Sequence, residues 1–339
     1  MHRLASASTP SAAPAATGVS APVSANGASP AESTGLSPYR GRFAPSPTGP
    51  LHFGSLVAAT ASYLCARAAG GAWLVRIEDI DPPREVPGSA DQILATLEAF
   101  GFEWTESILR QSTRTEAYEA ALAELQAGGW TFVCSCSRTD LKRAQPEGRD
   151  PSDELYYPGW CRNGTSASER RGAIRFRVPP GAVCFDDQIQ GPQCFDPARE
   201  VGDFVVRRRD RLFAYQLATA LDDAAQRITH VVRGADLLSS TARQMLVQRA
   251  LGLPSPVYAH LPVVTDTQGI KLSKSTGAAA IDARKPELEL WRALDFLRQE
   301  PPHELSRARV GTLWEWAIEH WRIEPLRGLA RIPLIRRTS

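Results

Sequence analysis

The sequence predicts an α/β protein centred on a Rossmann-type, doubly wound parallel sheet. The first observation is the run Arg42-Phe43-Ala44-Pro45-Ser46-Pro47-Thr48-Gly49-Pro50-Leu51-His52-Phe53-Gly54-Ser55, which passes from a short apolar strand through a proline- and glycine-punctuated turn into a helix. Such a strand-to-helix elbow is where α/β sheets hold nucleotides. The second is the alternation of strand and helix patterns from Tyr39 to Ala127. The third is the return of that rhythm between Ile228 and Val264 after an irregular stretch. A βαβα order implies parallel strands with a ligand at their carboxyl ends.

Composition sets wider bounds. A chain of 339 residues that is 43% hydrophobic can bury a large core and is long enough for two domains. Lys and Arg number 39 against 37 Asp and Glu, so there is no global attraction to nucleic acid, and an RNA contact must come from local patches. No run of 18 apolar residues appears, which argues against a membrane span. Six cysteines at irregular positions without an apolar signal sequence fit a reducing cytosol better than a disulfide framework.

Residues 1–38 are almost wholly Ala, Ser, Pro, Gly, Thr and Val. Such a segment cannot bury enough apolar surface to offset its ordering entropy, and is expected to be a disordered tail. A transit peptide is the alternative, against which stands the single arginine, Arg3. Residues 39–130 form the first half of the nucleotide fold: a strand near Arg42, a helix from Ser55, a strand at Trp73 to Ile77, and helices at Ala90 to Phe100 and Thr115 to Ala127. Within the elbow, prolines fix the backbone, and the helix points unpaired amides and its positive dipole end back at the turn. An anion is expected there, with His52 as a donor and Gly54 removing a side chain where a ligand approaches. Glu78 ends the second strand, beside such a ligand, whereas Asp79 and Asp81 sit in turn chemistry.

Residues 131–200 break the rhythm and read as an insertion holding Cys134, Cys136 and Cys161, with short β-type runs at Ala173 to Val178 and Ala182 to Asp186. Two cysteines one residue apart, with a third beside a Pro-Gly turn, suit either a small zinc site or buried free thiols. Cys65, Cys184 and Cys194 read as structural. Residues 201–284 are the second half. Phe204 to Phe213 reads as a hairpin with a basic tip, either solvated or touching RNA; Tyr215 opens a helix, Arg233 ends a strand, and a helix spans Leu237 to Leu251. Val257 to Val264 is the last apolar strand before Lys271-Leu272-Ser273-Lys274-Ser275, two lysines flanking a serine in a loop suited to closing on phosphates. Over residues 285–339 only helical patterns remain, such as Leu288 to Leu297 and Thr312 to Trp321.

His52-Phe53-Gly54-Ser55 and Lys271 to Ser275 together resemble the two signatures of class I aminoacyl-tRNA synthetases, with Leu272 in place of the usual methionine and Ser55 where a second histidine often stands. Arg42 to Gly54, followed by Arg76-Ile77-Glu78-Asp79-Ile80-Asp81, resembles the glutamyl branch. The brevity of the chain after the lysine loop, the cysteine segment and the run Arg76 to Val86 are most similar to the glutamyl-Q tRNA(Asp) synthetases, catalytic-half paralogues without an anticodon-binding domain.

What the resemblance implies is a class I synthetase fold with a zinc-containing insertion and a short helical C-terminal part. It implies activation of glutamate by ATP and Mg2+ without tRNA, then transfer to the queuosine base in the anticodon loop of tRNA(Asp). Lys274 and His52 become the catalytic residues, Arg42, Ser46, Glu78, Tyr215 and Arg233 the glutamate site, and His52, Gly54, Lys271 and Lys274 the ATP site. Zinc would be held by Cys134, Cys136, Tyr157 and Cys161; a phenol titrates near pH ~10 and ligates only when the metal removes its proton. A cytoplasmic monomer is expected. Two alternatives stay open: a shortened glutamyl-tRNA synthetase charging the 3′ end, and a catalytically silent nucleotide- or RNA-binding paralogue.

Overall fold

The runs 72–77, 230–234 and 257–261 carry β-branched and aromatic residues suited to the middle of a sheet, and they lie there. The computed structural model describes residues 38–146, 155–164, 172–272 and 280–334. Strands β1 (Arg40–Phe43), β2 (Ala72–Ile77) and β3 (Leu109–Arg110) form a parallel sheet in the order β1-β2-β3. Strands β9 (His230–Gly234) and β10 (Val257–Leu261) pair in parallel. β9 runs alongside the other edge of β1: Thr229 N donates to Arg40 O at 3.0 Å, and Arg40 N donates to Thr229 Oγ1 at 2.8 Å. The crevice between β1 and β9 is therefore the place where the strand order reverses, the ligand position of an open α/β sheet.

The sheet is wound on both faces, and the two-residue period of β2 shows it. Trp73, Val75 and Ile77 join one core with helix α1 (Phe53–Ala68), helix α2 (Ser89–Ala99) and the C-terminal helices α8 (Pro286–Phe296) and α9 (Val310–His320). Leu74 joins the opposite core with α3 (Thr115–Ala127), α6 (Tyr215–Ala225) and α7 (Leu238–Ala250). Trp73 is fully buried, its ring against Phe43, Tyr63 and Phe102. Trp314 of α9 packs on Tyr63 and donates its indole N–H to Phe100 O at 2.9 Å, which ties the C-terminal helices to α1.

Between the halves, β4 (Thr131–Cys134), β5 (Ala173–Phe176) and β8 (Val205–Arg207) form a separate antiparallel sheet, with helix α4 (Arg138–Arg143) beside it. The run at 182–186, read from sequence as part of the insertion, is β6 (Val183–Asp187); it leaves the insertion and pairs in parallel with β10 at Asp187 and Tyr258, carrying β7 (Gly191–Phe195) as an antiparallel edge. Strand pairing is non-local, and nothing in a five-residue run announces its partner. Two further expectations are corrected. Cys184 and Cys194 face each other across β6 and β7 and form a disulfide, where only thiols were expected. The C-terminal segment is not purely helical: β12 (Arg331–Pro333) pairs in parallel with β11 (Val263–Thr265). The expected N-terminal tail lies outside the described residues, and among the described residues no helix is long and apolar enough to cross a membrane.

Candidate active site

The elbow after β1 closes on a cavity of about 320 Å³. Its wall takes residues from the elbow, the first turns of α1, the ends of β9 and β10, and β11; Arg42, Ser46, His52, Gly54, Tyr215, Arg233 and Lys271 all line it. A second cavity of about 240 Å³ shares Ser46, Thr48 and Tyr215 with the first and adds Glu78, Asp81, Glu85 and Arg208. Every described residue expected at the glutamate and ATP sites thus borders one of two cavities that share part of their walls.

His52 is the N-cap of α1: its Nδ1 accepts from Ser55 N and its Nε2 contacts Ser55 Oγ, both at 3.2 Å. An imidazole that accepts at Nδ1 carries its proton at Nε2, so the ring stands as a neutral donor at the helix N-terminus. A Cβ on Gly54 would sit 3.2 Å from His52 Cε1 and 3.7 Å from Val264 Cγ2, so the glycine makes room first for the histidine ring. Ser55, in the place of a second histidine, fixes the orientation of the first.

Arg42 and Arg76 come from adjacent strands and meet Asp223 of α6. Arg42 Nε donates to Asp223 Oδ1 at 3.2 Å and Arg76 Nη1 to the same oxygen at 2.8 Å. Arg76, fully buried, also reaches Gln226 Oε1 at 3.0 Å and Glu78 Oε1 at 3.4 Å, and Thr219 Oγ1 donates to Glu78 Oε1 at 3.2 Å. Burial works against the charge on Asp223, but the two guanidinium groups outweigh it and hold the carboxyl below the usual range. Glu78 goes the other way: burial raises it, and the same arginines oppose that only in part. Asp223 has the closer contact with Arg76, which is why the shared cations serve it better.

Arg233, at the end of β9, is 5% exposed, and its hydrogen bonds among the described residues all go to neutral acceptors. Nε donates to His260 Nε2 at 3.1 Å, Nη1 to Tyr215 OH at 3.2 Å, and Nη2 to Thr241 Oγ1 at 2.8 Å and Leu237 O at 3.5 Å. His260 in turn donates from Nδ1 to Asp187 Oδ2 at 2.6 Å, which sets its tautomer and leaves Nε2 to accept. A buried guanidinium fixed by neutral groups keeps its full charge for an incoming anion. Asp187, Thr241, His260 and Asp223 were missed in the sequence. The only signal was the polar residue inside an apolar strand, His260, and the acid pair Asp222-Asp223 inside a helix.

Lys271 stands at the cavity rim, half exposed, and its Nζ donates to Asp236 Oδ2 at 2.7 Å. Lys274 lies outside the described residues. In the insertion, the sulfurs of Cys134, Cys136 and Cys161 lie within 4.8 Å of one another, in a small core with Phe132, Leu141 and Tyr157. Tyr157 OH accepts from Cys161 N at 2.7 Å, beside the thiols. Three soft donors converging in an apolar shell fit a thiophilic metal ion such as zinc. The hairpin after β8 is tighter than expected, with one bridge from Arg207 to Phe213. Arg207 is buried against Glu119 at 3.0 Å, so it is a structural member of the hairpin and not part of its exposed tip.

Residues 39–298 match the family of class I tRNA synthetases (E and Q), catalytic domain. The glutamate-tRNA synthetase of Elizabethkingia anophelis superposes with a TM-score of 0.73 at 26% identity, over 88% of this chain and 68% of that one. A glutamate tRNA ligase from Elizabethkingia meningosepticum, solved in complex with its amino acid, gives 0.71 at 26% identity, over 87% and 67%. The fold and crevice are those of a class I tRNA synthetase catalytic domain, an ATP-dependent ligase-like enzyme. The glutamyl-Q tRNA(Asp) synthetase of Dechloromonas aromatica is 52% identical over 87% of this chain and 98% of its own length, and that of Aromatoleum aromaticum 54% over 84% and 89%. The chain belongs to the glutamyl-Q tRNA(Asp) synthetase family.

The Asp187–His260–Arg233 chain has a pH signature. Burial, with Arg233 and Arg42 nearby, lowers the affinity of His260 for a proton despite the pull of Asp187. Unfolded, the same histidine titrates near ~6.5. The unfolded chain therefore takes up a proton that the folded chain refuses, so this contribution to stability is complete above about pH 6.5 and is lost as the pH falls below it. Urea midpoints at pH 7.5 and 5.5 are expected to drop more for the parent than for His260→Gln; equal drops would remove His260 as a source of acid sensitivity.

Proposed function

We propose that this chain activates glutamate with ATP in the absence of tRNA and then transfers the glutamyl group to the cyclopentenediol of queuosine in the anticodon loop of tRNA(Asp). The relatives' shared name motivates the acceptor. The observation that carries the amino-acid side is Arg233: buried, fixed by neutral acceptors, and set in the wall of a cavity that also holds Arg42, Ser46 and Tyr215. A carboxylate entering there neutralises a charge that glutamine, with its amide, would leave unpaired. Glu78, one strand away at the cavity border, is the acid available to the substrate ammonium.

In the first step an oxygen of the substrate α-carboxylate attacks the α-phosphorus of ATP, forming the acyl-phosphate bond as pyrophosphate leaves. No protein nucleophile is needed; the work is positioning and charge stabilisation. His52 and the amides opening α1 hold phosphates, and Gly54 lets the His52 ring lie across the helix start. Lys271 and Lys274 close on the departing pyrophosphate, with Mg2+ as its counter-ion. In the second step a hydroxyl oxygen of the acceptor attacks the acyl carbon, loses its proton, and AMP leaves. Zinc bound by Cys134, Cys136, Cys161 and Tyr157 would cross-link the insertion. Its role would be structural, and Cys161 N–H already orients the tyrosine oxygen toward the thiols.

Labelled glutamate is expected to pass to queuosine-containing tRNA(Asp), to stay when the 3′-terminal adenosine is removed, and to be refused by tRNA from cells that cannot make queuosine. Charging of queuosine-free tRNA at the 3′ end would replace this reading with that of a shortened glutamyl-tRNA synthetase. Glutamate-dependent ATP–pyrophosphate exchange should proceed without tRNA, and Lys274→Ala should slow it about a hundred- to thousandfold, the usual loss of one transition-state donor. An unchanged rate would take Lys274 out of the mechanism. Chelator-washed, folded protein should retain one zinc per chain by elemental analysis, and Cys134→Ser should lose it and melt lower; a metal-free parent that melts like Cys134→Ser would leave the thiols structural only.

A further inference from the structure

The insertion presents one large aromatic side chain to solvent, and the fold explains why. Gly159, Trp160, Cys161 and Arg162 form a tight turn closed by Arg162 N donating to Gly159 O at 2.9 Å, with Gly159 in the left-handed region at φ 87°. The third turn residue, Cys161, is buried in the thiol cluster. The second, at the outer corner, is Trp160, which is 57% exposed and the most exposed large hydrophobic among the described residues. An exposed indole offers a flat aromatic face with one N–H donor at its edge.

The sequence joining α4 to this turn carries Glu147, Asp150, Asp153 and Glu154, but the hairpin tip and helix α4 each carry more cations than acids. Ser135 Oγ lies 3.5 Å from Cys161 Sγ, and the carbonyl of the same Ser135 accepts from Arg209 Nη2, so the hairpin tip abuts the turn. That tip holds Arg208, Arg209 and Arg211 against Asp210. Helix α4, packed beneath the turn through Leu141, holds Arg138, Lys142 and Arg143 against Asp140. From Arg209 the path continues to the catalytic crevice, because Arg208 Nη1 donates to Asp81 Oδ1 at 2.9 Å and both residues line the second cavity, which borders Tyr215 and Ser46. The hairpin tip therefore touches both Ser135, beside the thiol cluster, and the rim of the second cavity.

We infer that Trp160 is a stacking platform for an unpaired base of the acceptor RNA, with Arg209 of the neighbouring hairpin tip on the phosphate backbone. An aromatic face next to a cationic ribbon is the chemistry of single-stranded nucleic acid binding: the ring takes a base and the guanidinium groups follow the phosphates. A protein partner would be met by a wider apolar patch than one indole, and the excess of cations on the hairpin tip and α4 favours a polyanion. The inference rests on the proposed function for the identity of the RNA, but not for its chemistry. It assigns the insertion a grip on the loop while the cavities handle the reacting groups.

The test separates binding from chemistry. A transcript of the tRNA(Asp) anticodon stem-loop, lacking queuosine, is titrated against the full chain, and glutamate-dependent ATP–pyrophosphate exchange is measured in parallel. Trp160→Ala is expected to weaken RNA binding about 5- to 150-fold, the range for loss of one base–aromatic stack, with exchange unchanged; Trp160→Phe should restore most of the affinity. Arg209→Gln should weaken binding and reduce the slope of log affinity against log salt by about 0.7 to 0.9. Should Trp160→Ala lose zinc or melt early, Trp160→Phe and Arg209→Gln decide alone. Parental affinity and salt slope in Trp160→Ala and Arg209→Gln would overturn the inference. Failure of the wild type to modify queuosine-containing tRNA, with the RNA still bound through Trp160, would overturn the proposed acceptor and leave this surface standing.

Discussion

The crevice depends on keeping arginines charged inside a folded core. Arg76 is fully buried, and removing a guanidinium from water is costly unless opposite charge and hydrogen bonds replace the solvent. Asp223 supplies the charge, and it does so for Arg42 as well, through one oxygen shared at 3.2 and 2.8 Å. Helix α6 can bring Asp223 there only because its residues Leu217, Ala218 and Ala220 pack in the core beneath the sheet, under Leu74 of β2. Removing one member would leave a buried charge uncompensated, a loss of roughly 3–5 kcal/mol. The same cluster sets the geometry of β1 and β2 where the strands deliver Arg42 and Glu78 to the ligand space.

The second arginine is handled by the opposite principle. Arg233 is not neutralised by a direct acidic partner among its hydrogen bonds; it is oriented by His260, Tyr215 and Thr241, and Asp187 acts one residue removed. The distinction has a chemical consequence. A cation already paired has little to offer a substrate, whereas one held by neutral dipoles is preorganised for an anion with no competing carboxylate to displace. Arg42 lies between the extremes, since its bond to Asp223 runs through Nε alone.

How much of this was legible in the sequence follows from how local each feature is. The elbow, α1 and β2 could be read because their determinants are adjacent: prolines and glycines in the turn, then apolar periodicity on either side. Spacing left the three cysteines, whose sulfurs the fold brings together, open between a zinc site and free thiols, and Arg42, Glu78, Tyr215 and Arg233 were named as a set through the family resemblance. The partners of those residues could not be read. Asp187 sits 73 positions from His260, and Asp223 lies 147 from Arg76, so only the folded topology joins them. β6 was misplaced for the same reason, since its strand pattern was visible and its partner was not. β12 is three residues long and carries no period to detect. Arg207 looked like one cation of a basic run until packing buried it on Glu119.

The two cavities share part of their walls. Tyr215 and Ser46 belong to both walls, so under the proposed function a glutamyl group seated against Arg233 would lie beside the second cavity. That second space, about 240 Å³, is smaller than the roughly 300–1,000 Å³ that drug-sized ligands occupy. It suits one small ring better than a whole nucleoside. Its rim carries Asp81 clasped between Arg84 and Arg208, a charge pair that spans from the loop after β2 to the hairpin after β8. An RNA that draws either arginine onto its phosphates weakens that clasp. Under the proposed function, the acceptor RNA and Asp81 at the rim of the second cavity would thus compete for the same two arginines.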